Sequence, residues 1–272
     1  MTASTITDDR RVAVAASPRF AGLGALVRKD VAEWGRGRRG WVVFTVTTLF
    51  MLLSAANAWI ITQLAAVLPA EAAPEELPTS LAPIDNLLAA VGPQIFVFAA
   101  IFAVASLIVR ERESGTLAWV ASKPVSRSSI WVAKWISASG MLVLAAVLAP
   151  FVVTVAAVTA MYGMPDLAPV ALLTVGAMAA VVFYAALGLA AGTVLPGQPA
   201  IVAVGFAVYA VVPALLGLLP VNVAPFLPTS ILAWTAALAG GQDAGWITPV
   251  AWAIGTALLA GFAVQRMRRM EL

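Results

Sequence analysis

The sequence predicts an all-α, polytopic integral membrane protein with six transmembrane helices and with both termini in the cytoplasm. Of its 272 residues, 62% are hydrophobic and only 11% are charged, whereas a soluble domain is about 45–50% apolar and about 25% charged. The apolar residues also form long runs without Asp, Glu, Lys or Arg. Because a bilayer core about 30 Å thick needs roughly 20 apolar residues per helix, these runs are long enough to span it.

The spans follow from the charge-free runs. The run from 167 to 242 is too long for one helix, and glycine and proline interrupt it at 192–199 and again at 220–228. None of the runs alternates apolar and polar residues as the strands of a membrane barrel do. Gly188 and Gly192 form a small-xxx-small pattern that predicts close packing between helices. The predicted spans are 41–66, 87–109, 136–160, 169–191, 200–219 and 246–265.

The basic residues predict the orientation. Of sixteen, eight precede the first span, five lie between spans two and three, and three follow the last span. With six spans they all fall on one side, which the positive-inside rule identifies as the cytoplasm. The predicted outer loops carry only acids, so the high isoelectric point reflects topology and no nucleic acid is expected as a partner.

Two segments are predicted to lie outside the spans. Residues 226–241 hold an apolar stretch that is short for a span and has the length of a re-entrant or interfacial helix, and the sequence leaves those two open. A seventh span there would also move the C-terminal arginines to the outer face. Residues 1–17 are predicted to form a flexible cytoplasmic tail, and residues 18–272 a single membrane domain.

Several kinds of chemistry are excluded by residues that the chain lacks. It has no cysteine and no histidine, so we expect no thiolate or imidazole metal site and no histidine-dependent hydrolysis. A phosphate-binding Walker motif needs a lysine after a glycine, and none of the three lysines follows one. We therefore expect no catalytic residue, no metal and no cofactor bound by this chain.

The predicted spans also lack the charged residues that ion-coupled carriers usually keep inside the membrane. The chain therefore has a membrane pathway without an energy source of its own, and we expect a partner to supply the energy. Two alternatives stay open. One is a secondary carrier or channel that works alone, and the other, with less support, is a membrane enzyme of lipid metabolism.

Residues 18–36 predict an amphipathic helix just before the first span. Apolar side chains recur there at three- and four-residue intervals, and basic residues occupy the other side. Such a helix lies along the inner membrane surface, where it could bind anionic lipid or a partner protein. The residues that define this interface helix are Phe20, Leu23, Val27, Arg28, Lys29, Val31 and Trp34.

The loop between spans two and three, residues 110–134, is the most specific feature of the sequence. Gly115 is predicted to end the helix that continues span two, Thr116 to cap a short helix, and Pro124 to end that helix. Exposed apolar residues on such an element indicate a partner surface, and the alternative is a solvated loop whose charges set the topology. The predicted docking residues are Arg110, Glu111, Arg112, Glu113, Ser114, Gly115, Thr116, Leu117, Pro124 and Arg127.

Together these features resemble the ABC-2 type permeases of ATP-binding-cassette exporters, including the six-span group of the nitrous-oxide-reductase maturation permease. The resemblance rests on Glu111-Arg-Glu-Ser-Gly-Thr-Leu117, on Pro124-Val-Ser-Arg127 and on Lys134, all between spans two and three. It extends to the amphipathic N-terminal helix, to the proline-rich segment 226–230 and to the arginine-rich end 266–272.

The resemblance implies a permease subunit that forms the export pathway for an unidentified substrate in the cell membrane. Residues 111–127 would form a coupling helix that docks into a separate ATPase subunit, with residues 18–36 as a neighbouring interface helix. A second permease chain, identical or different, would complete the pathway. ATP and Mg would bind to the ATPase subunit.

Overall fold

The computed structural model describes residues 20–65, 67, 92–219 and 222–269, and within them every regular element is a helix. Five of the helices are long and apolar enough to cross a membrane. These observations confirm the prediction of an all-α polytopic membrane protein. The predicted tail at 1–17 and the loop after the first span lie outside the described residues.

The first two helices are separated by one glycine. Helix α1 is Leu23–Arg36 and helix α2 is Arg38–Ala65. Gly37 between them has an extended backbone, with ψ of 158°, so the chain changes direction before it enters the first span. Helix α2 contains nearly all of the predicted span 41–66.

The third helix, α3, is Gly92–Glu113, and it extends beyond the predicted end of span two at residue 109. It is not among the five span-length apolar helices, and the start of the predicted second span lies outside the described residues. The six-span count and the position of both termini stay predictions.

A tight turn joins α3 to the short helix α4, Thr116–Ala121. Gly115 occupies the cap position with φ of +71°, a left-handed conformation that costs glycine little. The prediction that Thr116 caps this helix is therefore wrong, because Thr116 is already its first residue. Its hydroxyl instead shares a 2.8 Å hydrogen bond with the hydroxyl of Ser114.

The longest helix, α5, is Arg127–Tyr162. It begins nine residues before the predicted start of span three, because the hydroxyl of Ser126 caps it by accepting a hydrogen bond from the Ser129 N–H at 3.1 Å. A π-helical segment, Val143–Leu148, interrupts it. Pro150 follows two residues after this segment and cannot donate a backbone hydrogen bond, so the widened turn lies where the regular bonding pattern is broken.

Two further spans and a short helix follow. Helix α6 is Leu167–Gly192, and α7 is Gln198–Leu216 with its own π-helical segment. After two single 3₁₀ turns comes α8, Ile231–Ala239, whose nine residues extend only about 14 Å. This is shorter than a span requires, in keeping with the prediction of a re-entrant or interfacial helix, which stays a prediction. The last helix, α9, is Ile247–Arg269.

Helix α6 lies at the centre of the bundle and packs against α3, α5, α7, α8 and α9. Small residues allow this: a Cβ atom on Gly188 would overlap the side chain of Val104 on α3, and one on Gly192 would lie 3.5 Å from Ile108. The predicted small-xxx-small packing is thus confirmed. Because lipid provides no hydrophobic driving force between helices, such close contacts carry much of their association.

We expect Gly188→Leu to destabilise the bundle by about 1–3 kcal/mol, since it overpacks the contact with Val104. Gly261→Leu is the matched control, because Gly261 is also helical but has no atom within 4 Å of the position of an added Cβ. Thermal unfolding of the purified chain in detergent measures both. Equal melting temperatures for the two variants would contradict close packing at Gly188.

Candidate functional site

The predicted interface helix and the predicted docking loop form one continuous surface. Helix α1 packs along the first turns of α5, and the Ser126 N–H donates a hydrogen bond to the Ala21 carbonyl at 3.2 Å. Gly22 has φ of +77°, and an added Cβ there would overlap Val125. The absence of a side chain at Gly22 therefore lets the start of α1 lie against the loop before α5.

The packed face of α1 differs from the predicted apolar stripe. Trp34 is 5% exposed, Asp30 is 7% exposed, and Leu26 contacts the core. An acid thus lies on the buried side, because positively charged partners are available there. The residues of the predicted interface helix that are half-buried or exposed are Phe20, Leu23, Val27, Arg28, Lys29 and Val31.

Four charged residues from three helices meet where α1 crosses α3 and α5, and we call Lys29, Asp30, Glu111 and Lys134 the ion cluster. The Lys134 ammonium lies 2.7 Å from Glu111 Oε1 and 3.9 Å from Asp30 Oδ2. The Lys29 ammonium lies 3.4 Å from Asp30 Oδ1 and 3.7 Å from Glu111 Oε1. Each cation therefore contacts both carboxylates.

Burial and pairing act against each other in the ion cluster. Burial raises the pKa of Asp30, although Lys134 and Lys29 oppose the increase. For Lys29, burial lowers the pKa, but the attraction of Asp30 and Glu111 outweighs it and the net direction is upward. Removing one partner from a buried pair leaves an uncompensated charge, which is costly. The cluster therefore links α1, α3 and α5 at their predicted cytoplasmic ends.

Sequence reasoning missed two members of this cluster as site residues. Asp30 lies four residues before Trp34 and therefore on the same side of the helix. An acid on the side of a large aromatic residue is the sequence signal that could have identified it. Lys134 entered only through the family resemblance, because it was placed in a loop before span three. The structure places it inside α5, 5% exposed.

Helix α4 has a buried side and an exposed side. Leu117 and Val120 are buried against the bundle, whereas Trp119 is 63% exposed. The Lys123 ammonium lies 4.5 Å from the centre of the Trp119 ring, a cation–π contact that holds the ring in place. Neither Trp119 nor Lys123 was among the predicted docking residues.

The predicted docking residues divide into two groups. Glu111 belongs to the ion cluster, Leu117 is buried, and the Arg112 guanidinium donates hydrogen bonds to the carbonyls of Leu195 at 3.0 Å and Pro196 at 2.8 Å. These three residues make contacts within the chain. Thr116 is half-buried and belongs to neither group. The exposed predicted residues are Arg110, Glu113, Ser114, Gly115, Pro124 and Arg127. In the described part of the chain, no cluster of three or more acids could hold a metal ion.

A family model described as ABC-2 family transporter protein matches residues 25–233. The chain belongs to this family. The match runs from α1 to the first residues of α8, so it includes the ion cluster and α4. It confirms the predicted ABC-2 resemblance, whereas the relation to the nitrous-oxide-reductase group stays a prediction. No match is found among curated proteins.

Family membership and the apolar helices indicate a multi-pass membrane protein, and the family is one of transporters. They support a permease subunit of an ABC transporter, and permeases of this family typically work with an ABC ATPase subunit. The sequence left two alternatives open, a carrier that works alone and an enzyme of lipid metabolism. A permease subunit accounts for the family membership more directly than either of them.

We expect Lys134→Met to destabilise the folded chain by about 3–5 kcal/mol, because it leaves Glu111 and Asp30 without their buried cation. Adding Glu111→Gln should recover part of the loss, since the charge that remains uncompensated is then smaller. Lys123→Met, which removes an exposed lysine, is the control and should cost about 1 kcal/mol or less. Thermal unfolding measures all three, and equal losses for Lys134→Met and Lys123→Met would contradict the pairing.

Asp30 should make stability depend on pH. Its pKa is raised in the folded chain, so the folded state binds the proton more tightly than the unfolded state. Its contribution to the free energy of unfolding is lowest at neutral pH and increases as pH falls through the folded pKa. The stability of wild type relative to Asp30→Asn should therefore rise on acidification. Thermal unfolding of both proteins over a range of pH measures this difference, and a difference that does not change with pH would contradict the prediction.

Proposed function

We propose that this chain is the permease subunit of an ABC exporter in the cell membrane and that it forms the translocation pathway for a substrate not yet identified. ATP and Mg bind to a separate ATPase subunit, and this chain binds no cofactor. The observation that carries the proposal is the geometry of α4, a short amphipathic helix with an exposed tryptophan, attached rigidly to two spans of an ABC-2 family protein.

Helix α4 has the features of a docking element for the ATPase subunit. Its inner side chains, Leu117 and Val120, anchor it to the bundle, and Trp119 points outward with Lys123 beside it. Exposed tryptophans that become buried on association are frequent hot spots of interfaces. An ATPase cleft that receives Trp119 would hold α4 at its centre.

Movement of α4 would be transmitted to the membrane through short connections. Two residues separate it from α3, and five separate it from α5. The ion pair between Glu111 and Lys134 joins those two helices directly, and Arg112 ties the end of α3 to the loop after α6. A partner shifts a conformational equilibrium only through its different affinity for two states. An ATPase whose cleft changes on ATP binding would provide that difference.

Pairing of two permease chains, identical or different, would place the pathway between them. The interior around α6 is closely packed, with Gly188 against Val104 and Gly176 against Thr235. A pathway through this interior would have to break these contacts. The apolar side chains of α2 are exposed instead, among them Trp41, Leu49 and Leu53, so that face is available to lipid and to a second chain.

We expect Trp119→Asp to abolish most co-purification with the P-loop ATPase from the native host while the chain stays folded, since truncating a hot spot costs about 2 kcal/mol or more. Trp246→Asp is the matched control, because Trp246 is 76% exposed and lies at the predicted outer end of α9. Affinity purification in mild detergent, followed by identification of bound proteins, measures both.

Retention of the ATPase by the Trp119→Asp variant at the wild-type level would contradict docking through α4. Absence of any ATPase from the purified, folded wild-type chain would contradict the permease proposal itself and favour a carrier that works alone. Transport by that chain in liposomes without ATP would then be the next measurement.

A further inference from the structure

Two cavities at the inner end of the first span share one wall. The first has a volume of about 830 Å³ and is lined by polar and charged side chains, including the ion cluster. The second has a volume of about 650 Å³ and lies between α2 and α3 among apolar side chains. Arg38, Arg39 and Ser106 line both. The two therefore form one amphipathic space, polar toward α1 and apolar along the spans.

The shared wall carries positive charge that the described residues do not neutralise. Lys29 and Lys134 are paired within the ion cluster. Among the residues that the structure describes, by contrast, no carboxylate lies within ion-pair distance of Arg38 or Arg39. Glu33 and Glu113 also line the polar cavity, but neither reaches the apolar one. The junction between the two cavities thus favours an anion.

The apolar cavity faces lipid rather than the core. Its walls include Val42, Val46 and Phe50 of α2 and Phe98 and Phe102 of α3. Val42 is 59% exposed and Phe102 is 52% exposed. In a span, exposed apolar residues contact acyl chains. A ligand in this groove therefore needs a hydrocarbon portion that lies along the helices.

We propose that this space binds one anionic phospholipid of the inner leaflet, with its phosphate against Arg38 and Arg39 and an acyl chain in the groove between α2 and α3. A free phosphate would leave the apolar cavity unfilled, and a neutral lipid would leave the two guanidinium groups without a counter-charge. Guanidinium groups bind phosphate oxygens in a bidentate geometry. The two arginines begin α2 at its predicted cytoplasmic end, the depth at which basic residues meet anionic headgroups.

This lipid would contact α1, α2 and α3 together, and it would lie beside the ion cluster. The inference concerns a binding site and does not depend on the ATPase subunit or on the substrate.

The test is a titration of the purified full chain, in neutral detergent, with dioctanoyl phosphatidylglycerol, dioctanoyl phosphatidylcholine and glycerol phosphate, with binding measured calorimetrically. We expect saturable binding of phosphatidylglycerol, weaker binding of phosphatidylcholine and none of glycerol phosphate. The double variant Arg38→Gln with Arg39→Gln should weaken phosphatidylglycerol binding on the order of 30-fold, the factor for two basic contacts of about 1 kcal/mol each.

Two further variants separate a defined site from a diffuse charge effect. Arg266→Gln with Arg269→Gln removes the same charge from exposed residues on the same predicted side and should leave binding unchanged. Ala99→Phe, which fills the apolar groove, should weaken both lipids. Equal losses for the two arginine pairs, or glycerol phosphate binding as tight as that of phosphatidylglycerol, would overturn the proposal. Arg38→Lys with Arg39→Lys keeps the charge but loses the bidentate geometry, so it should bind phosphatidylglycerol more tightly than the glutamine pair and less tightly than wild type.

Discussion

Lys134 can be buried at the inner end of α5 only because two carboxylates lie beside it. An unpaired ammonium group in such a place would cost several kcal/mol, and Glu111 of α3, with Asp30 of α1 at a longer distance, offsets that cost. This pairing holds the amphipathic helix, the second span and the third span in one arrangement. The loop that carries α4 is bounded by α3 and α5, and its position follows from theirs.

Helix α6 imposes a second constraint within the membrane. Small residues on α6 allow α3 and α8 to approach it closely, as Gly188 does for Val104 and Gly176 for Thr235. Backbone carbonyls of the same helix accept hydrogen bonds from Trp135 and Trp252, at 3.3 Å and 2.9 Å. These contacts hold α6 at the centre of the described helices.

The sequence indicated where the candidate site lies, but it did not indicate what each of its residues contacts. The loop 110–134 was identified from its charges, its glycine and its proline, because the glycine and the proline act locally on the backbone. Glu111 and Arg112 were read as outward-facing, yet both are used within the chain, as ion-pair partner and as hydrogen-bond donor to the Leu195 carbonyl. Their partners are distant in sequence, so no local pattern indicates them. Trp119 is outward because Leu117 and Val120 occupy the inner side of the same short helix.

The sequence by itself determined the class of protein and the approximate position of its spans. The length of each charge-free run and the distribution of the basic residues can be read from the sequence, and insertion into a bilayer depends on them directly. Neither requires knowledge of tertiary contacts. Only the tertiary structure decided that Asp30 faces inward, that Lys134 belongs to a buried cluster and that two cavities meet at Arg38 and Arg39. Those facts depend on which helices approach one another, and that is set by side-chain shape and charge pairing across the whole chain rather than by any one segment.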